Sequence, residues 1–130
     1  MDKNNLNISK VEDYLYRALK SKVSANLYIG TLPDTTQSAW MDMCLIDCGN
    51  GFRDYDAYGK GTVLIWLYAK PLSNGQKNAK VMDKLEMGLN EAISQADSKI
   101  YRINRGNVYC DYDSTRRWHC NIVELNLLIF

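Results

Sequence analysis

The strongest hydrophobic pattern in the chain is an apolar run over residues 62–69, followed by a turn and an amphipathic segment. Successive side chains of a strand point to opposite faces, so Val63 and Ile65 share one face while Leu64 and Trp66 share the other. Because neither face is polar, the run predicts a central strand that is covered on both sides. We therefore expect Trp66 to be buried.

Two segments show helical periodicity. Residues 76–96 carry an apolar stripe centred on Leu85, which we also expect to be buried. Residues 9–22 repeat apolar side chains at helical spacing, and Ser9 with Glu12 has the form of a capping box at the start of this helix. Residues 1–7 show no such pattern, and we expect them to be mobile.

Alternation predicts five further strands, over residues 26–29, 40–48, 100–104, 108–112 and 118–130. A polar loop is predicted over residues 30–38. Gly49-Asn50-Gly51 indicates a hairpin or loop, and Arg105-Gly106-Asn107 indicates a compact turn. Together these elements predict an α+β fold, with a mainly antiparallel sheet on which an N-terminal helix and a central helix pack. One domain over residues 1–130 suffices for this length.

The connection that precedes the central strand is unusually rich in aromatic and charged side chains. Aromatic anchors with a charged rim are typical of protein contact surfaces. We therefore predict an interface there, although the rings could instead fold back onto their own domain. The predicted interface residues are Phe52, Arg53, Asp54, Tyr55, Asp56 and Tyr58.

Composition argues against several classes of partner. The chain has 130 residues, 46% of them hydrophobic and 24% charged, with a formal net charge of +1. This balance gives no electrostatic reason to expect nucleic acid or an anionic membrane as a partner. No apolar run approaches the roughly 18 to 20 residues that a membrane span needs. We expect the protein to be made and kept in a cytoplasm.

Candidate chemistry is sparse. Cys44, Cys48, Cys110 and Cys120 have poor spacing for a zinc site, even with His119, and are interpreted as reduced thiols. Asp54 with Asp56, and Asp111 with Asp113, form two similar carboxylate pairs that could hold a hard cation if the fold brought them together. They could equally be ordinary turn residues. Arg116 and Arg117 are interpreted as a solvated turn. No catalytic residue, metal ligand or cofactor is predicted.

The order of elements resembles the small neck proteins of long-tailed bacteriophages, above all the tail-terminator or tail-completion family. The resemblance rests on the N-terminal helix, the loop Gly30-Thr31-Leu32-Pro33, the apolar strand, the helix around Leu85 and the terminal strands. It implies a non-enzymatic virion protein that forms a six-membered ring, caps the tail-tube protein and joins it to the head-neck connector protein.

Within that resemblance, the predicted interface residues would be ring contacts. A ring needs a second contact surface, for which the first helix and the 30–38 loop are alternatives. Two other functions stay open: a binding subunit of a bacterial complex, and a small metal-binding enzyme.

Overall fold

The computed structural model describes residues 1–34 and 41–130. Within them it contains a 3-10 helix (Lys3–Leu6), two α-helices and six strands. The α-helices are α1 (Ile8–Lys20) and α2 (Ala79–Gln95). The strands are β1 (Asn26–Ile29), β2 (Met43–Asp47), β3 (Phe52–Asp54), β4 (Gly59–Tyr68), β5 (Tyr101–Asp113) and β6 (Trp118–Ile129). The predicted α+β class and both predicted helices are confirmed.

The strands form one sheet in the order β1-β2-β4-β6-β5. Neighbouring strands are antiparallel, except that β1 runs parallel to β2. Strand β6 occupies one edge of β4 along the whole length of β4. Strands β2 and β3 therefore lie one after the other along the opposite edge of β4. The predicted central strand is therefore β4.

Both α-helices pack on the face of the sheet that carries Val63, Ile65 and Leu67. Apolar residues recur every three or four positions in each helix, so one stripe faces the sheet. The buried helical residues are Val11, Leu15 and Leu19 in α1, and Met82, Leu85, Leu89 and Ala92 in α2. Helix α2 closely approaches the turn that follows α1: a Cβ atom at Gly88 would collide with the carbonyl oxygen of Lys22.

The opposite face of the sheet carries neither of these helices and is called the open face below. A small cluster of Met43, Tyr68, Trp118 and Cys120 is buried at one end of it, and Leu32 packs against this cluster. Leu64 and Trp66, however, remain partly exposed. The prediction that both faces of this strand are covered is therefore wrong at Leu64 and Trp66. Apolar side chains on two faces do not require that the chain's own helices cover both.

The N-terminal residues, which we expected to be mobile, pack against the domain. Asn5 is 6% exposed. Its side-chain amide donates to the carbonyl oxygen of Phe130 at 2.9 Å, and the hydroxyl of Tyr101 donates to the carbonyl oxygen of Asn5 at 3.1 Å. These hydrogen bonds hold the two ends of the chain together.

The predicted capping box is also wrong. Helix α1 begins at Ile8, and Asn7 precedes it without a side-chain cap. The carbonyl oxygen of Asn7 already accepts from the N–H of Val11 at 3.2 Å, so Ser9 lies inside the first turn. Helix α2 begins three residues later than predicted, where the side chain of Asn78 accepts from the N–H of Val81 at 3.3 Å.

Of the hairpin or loop indicated at residues 49–51 the structure has the loop, whereas the compact turn predicted at residues 105–107 is absent. At residues 49–51, Gly51 adopts a φ of 65° and the chain then continues into β3 in the direction of β2. At residues 105–107, β5 runs on as one strand of 13 residues. Its register against β6 shifts by one residue between Arg105 and Val108, which is a β-bulge.

The remaining boundaries differ slightly from those predicted. The strand predicted over residues 40–48 is β2, and Trp40 and residues 35–38 of the predicted loop lie outside the described residues. Among the described residues, no helix is long and apolar enough to span a membrane.

Candidate interface

The predicted interface residues lie on a β-hairpin made by β3 and the start of β4. Its tip is formed by residues 55–58, where the N–H of Tyr55 donates to the carbonyl oxygen of Tyr58 at 2.9 Å. The carboxylate of Asp54 accepts from the N–H of Asp56 at 2.8 Å. Asp56 has a φ of 69°, a left-handed conformation that Asp adopts more readily than most residues. The tip is thus a defined turn.

Tyr55 and Tyr58 form the exposed aromatic surface of the tip. Their rings stack with centroids 5.0 Å apart and are inclined by 11°. The two residues are 42% and 37% exposed, respectively. The guanidinium carbon of Arg53 lies 5.1 Å from the centroid of the Tyr55 ring, in a cation–π contact. Because these contacts already order the side chains, binding a partner would cost less conformational entropy.

Phe52 differs from the two tyrosines. Its ring is partly buried and packs against the main core, so it fixes the base of the hairpin. Of the six predicted residues, it is the one that folds back onto its own domain. Beside the tip, Tyr58 lines a shallow depression of about 320 Å³ together with Lys60, Leu128 and Phe130. Exposed apolar surface therefore extends from the tip to the last residue of the chain.

Lys3 links the hairpin to the N-terminal 3-10 helix. Its ammonium nitrogen lies 2.6 Å from a carboxylate oxygen of Asp54 and 2.9 Å from one of Asp56. The hydrogen bond from Lys3 holds the pKa of Asp54 below its usual value, and the bond to Asp54 raises the pKa of Lys3. These side chains are substantially exposed, so solvent screens the attraction. The positive charges of Lys3 and Arg53 equal in number the negative charges of Asp54 and Asp56 at the tip.

A second apolar surface crosses the open face of the sheet. The strand registers place Tyr28, Leu45, Trp66, Ile122 and Tyr109 in one row. Tyr109 is 46% exposed, and the buried indole N–H of Trp66 has no hydrogen-bond partner among the described residues. Sequence reasoning missed this surface because it assigned both faces of β4 to the core. The available signal was that two predicted helices leave one face of a sheet uncovered.

The two carboxylate pairs lie at opposite ends of the sheet. Asp54 pairs with Gly59 at the start of β4. Asp111 pairs with Cys120 of β6, and Cys120 in turn pairs with Tyr68 at the end of β4. The separation is about 30 Å, because a strand rises about 3.3 Å per residue. A shared cation site is therefore excluded.

The turn between β5 and β6 is held by Arg116. Its guanidinium lies 3.3 Å from the carboxylate of Asp113 and donates to the carbonyl oxygen of Pro33 at 2.7 Å. The side chain of Arg116 is only 10% exposed. The prediction of a solvated turn is therefore wrong for this residue, which ties the turn to the loop after β1.

The buried cysteines and the histidine are dispersed. Cys44 in β2 and Cys48, which follows β2, belong to the main core, and burial raises the pKa of each thiol to about 12. Cys120 lies on the open face, and burial raises its pKa to about 11. The ring of His119 packs edge-on against Tyr112. Within residues 1–34 and 41–130, no three His, Cys, Asp or Glu side chains are grouped to hold a metal ion.

Comparison of the chain with known protein families finds no family that matches, and comparison with curated proteins finds no matching relative.

Proposed function

We propose that this protein is a structural subunit of a phage neck that acts as a tail terminator. In this proposal six copies form a ring, the ring caps the tail tube, and its other side joins the head-neck connector. The protein would be assembled in the cytoplasm of the bacterial host and retained in the virion. Its role would be mechanical, so contact surfaces rather than a reacting group would carry it.

The ordered hairpin tip is the observation that carries this proposal. Stacked Tyr55 and Tyr58, with Arg53 against them, present an exposed aromatic surface at one end of the sheet. Tyrosine and arginine are the side chains that most often dominate binding at protein interfaces. The tip therefore has the composition and the rigidity of a contact element.

The rest of the molecule supplies a second, different surface. In a ring of identical subunits each copy gives one surface and receives on another, because the contact is head-to-tail. The open face and the outer strands of the sheet differ in shape and chemistry from the hairpin tip. The element order that underlies the resemblance to tail terminators is also present, with α1 before the sheet and α2 between β4 and β5.

The test is a tube-capping experiment. Tail-tube subunits of the protein's own phage are polymerised with and without the purified protein, and tube lengths are measured by electron microscopy. We expect the wild-type protein to stop elongation and to appear as a ring at one tube end. The double variant Tyr55→Ala/Tyr58→Ala should lose this capping.

A matched control is Leu72→Ala/Met87→Ala. It also removes two exposed apolar side chains, 46% and 71% exposed, but away from the hairpin. This control should cap tubes as the wild type does. Tubes that grow unchanged with wild-type protein would contradict the terminator function and favour a binding subunit of another complex. Capping by the tyrosine double variant would contradict only the assignment of the hairpin tip.

A further inference from the structure

Strand β5 forms one outer edge of the sheet, and its two halves differ. In its first half the outward backbone N–H groups are taken by local side chains: Tyr101 donates to Ser98 Oγ at 3.0 Å, and Ile103 donates to Asp97 at 3.1 Å. Such contacts block the addition of another strand to a sheet edge. The first half of β5 is therefore protected.

The second half of β5 has no equivalent protection. Alternate residues of an antiparallel strand direct their backbone groups to the partner, and the bulge shifts this alternation by one residue. Val108, Cys110 and Tyr112 are consequently the outward-facing residues. The N–H of Tyr112 donates to the carboxylate of Asp111 at 2.8 Å. Among the described residues, nothing accepts from the outward N–H groups of Val108 and Cys110.

The side chains along this half-strand are also uncovered. Val108 is 38% exposed, while Tyr109 and Tyr112 are each 46% exposed. Cys110 is an exposed free thiol, and its sulfur lies 3.9 Å from the ammonium nitrogen of Lys77. Residues 108–110 contain no proline and no charged side chain, and an exposed edge of this kind is a site for pairing with another strand.

Strand β1 forms the other outer edge of the sheet and offers a matching set of groups. The N–H groups of Asn26 and Gly30 donate to carbonyl oxygens in and next to β2, so the backbone groups of Leu27 and Ile29 face away from the sheet. Ile29 is 40% exposed. Like the free half of β5, β1 thus presents two outward N–H groups and an exposed apolar side chain.

We propose that β1 of one copy pairs, antiparallel, with residues 108–110 of β5 in the next copy. Within one copy β1 and β5 run in opposite directions, so two copies in the same orientation bring these edges together antiparallel. Placing Ile29 opposite Val108, and Leu27 opposite Cys110, gives every one of the four free N–H groups an acceptor. It also buries the exposed side chain of Ile29 against that of Val108.

A second copy of β5 is a poorer occupant of the same edge. Pairing β5 with itself would bring two Asp111 carboxylates into one junction, where like charges repel. Strand β1 carries no charged residue, so it meets Asp111 without repulsion. Pairing β5 with β1 is also head-to-tail and can be repeated from copy to copy. The closure of such a series into a ring rests on the proposed function, whereas the pairing itself does not.

Disulfide trapping between two variants tests the pairing. One variant carries Ile29→Cys and the other Val108→Cys, both with Cys110→Ser to remove the exposed native thiol. Facing residues of a hydrogen-bonded antiparallel pair have Cα atoms about 5.5 Å apart, which suits a disulfide. Mixed at high concentration and oxidised, the two variants should form a cross-linked heterodimer.

Met87→Cys with Cys110→Ser is the matched control, because Met87 is the more exposed residue but lies on α2. The Ile29 and Val108 pair should yield at least about tenfold more heterodimer than the Met87 and Val108 pair, because pairing raises the effective thiol concentration. Cys110→Pro in place of Cys110→Ser should abolish the excess without unfolding the protein, since proline at an outward position leaves the ladder with β6 intact.

Each other outcome has a definite meaning. A yield equal to that of the Met87 control overturns the pairing. Preferential cross-linking of Val108→Cys with itself shows that β5 pairs with β5 and likewise overturns it. Cross-linking of Ile29→Cys to Val108→Cys by a protein that does not cap tail tubes would uphold the pairing and reject the terminator function.

Discussion

Leu85 and Trp66 lie at the centre of the two most apolar segments, yet the structure gives them different roles. Leu85 is fully buried between α2 and the sheet, whereas Trp66 is partly exposed on the open face. We predict that Leu85→Ala lowers the free energy of unfolding by about 2–5 kcal/mol, because truncation leaves a cavity in the core. Urea unfolding monitored by circular dichroism measures this change.

For Trp66→Phe we expect a loss of less than about 1 kcal/mol, because the replacement removes a buried donor without a described partner. A loss above about 2 kcal/mol would show that the indole N–H has an acceptor in the folded protein. Sequence reasoning predicted burial for both residues, and the structure confirms full burial only for Leu85. The pattern identifies a side chain as apolar, but the layer that covers it depends on where distant elements pack.

At the scale of elements, the hairpin and Lys3 form one electrostatic unit that can be tested by titration. Lys3→Ala should raise the pKa of Asp54 towards its ordinary value, because the hydrogen bond from Lys3 is the largest cause of its depression. Carboxyl NMR shifts followed against pH report this pKa. Lys99→Ala, which removes an exposed lysine outside this unit, should leave it unchanged.

The sign of the stability effect follows from the direction of this shift. A carboxylate whose pKa is lower in the folded state stabilises the fold above its unfolded pKa, about 3.9 for Asp, and this contribution is lost as the pH falls through the folded pKa. The wild type should therefore lose the contribution below about pH 4, and Lys3→Ala should keep only the smaller part that the backbone N–H of Asp56 supplies. An unchanged Asp54 pKa in Lys3→Ala would mean that backbone donors alone set it.

The helices and β4 were predictable from the sequence because periodicity is a local property. Val11, Leu15 and Leu19 repeat at helical spacing whatever surrounds them. The errors in the predicted elements occur where the same local composition is compatible with two different structures. Gly106 and Asn107 are common in turns, but here they belong to a bulge that β5 absorbs against β6. The β3–β4 hairpin was missed because residues 55–58 reverse the chain without glycine at the tip.

For the whole molecule, the two chain ends and the hairpin converge on the N-terminal 3-10 helix. Asn5 bonds to Phe130 and Tyr101, Leu6 packs against Gly59, and Lys3 binds the carboxylates of the tip. No sequence pattern indicates this junction, because a single turn of 3-10 helix is too short to show periodicity. The contacts named above all join residues that are far apart in the sequence, so the fold has to be known before they can be predicted.

Deleting residues 1–6 should therefore loosen the hairpin specifically. We expect amide hydrogen exchange over β3 to accelerate by about tenfold or more, because β3 would then rely on its ladder with β4 and on Phe52, whereas β4 stays paired with β6. Exchange in α2 should change much less and serves as the internal control. Lys3→Ala and Tyr101→Phe test two of these contacts separately, since the first removes the ion pairs and the second removes the hydrogen bond from Tyr101 to Asn5. If the truncated protein keeps wild-type protection in the hairpin, the 3-10 helix does not brace the contact element, and the tip is ordered by residues 52–61 alone.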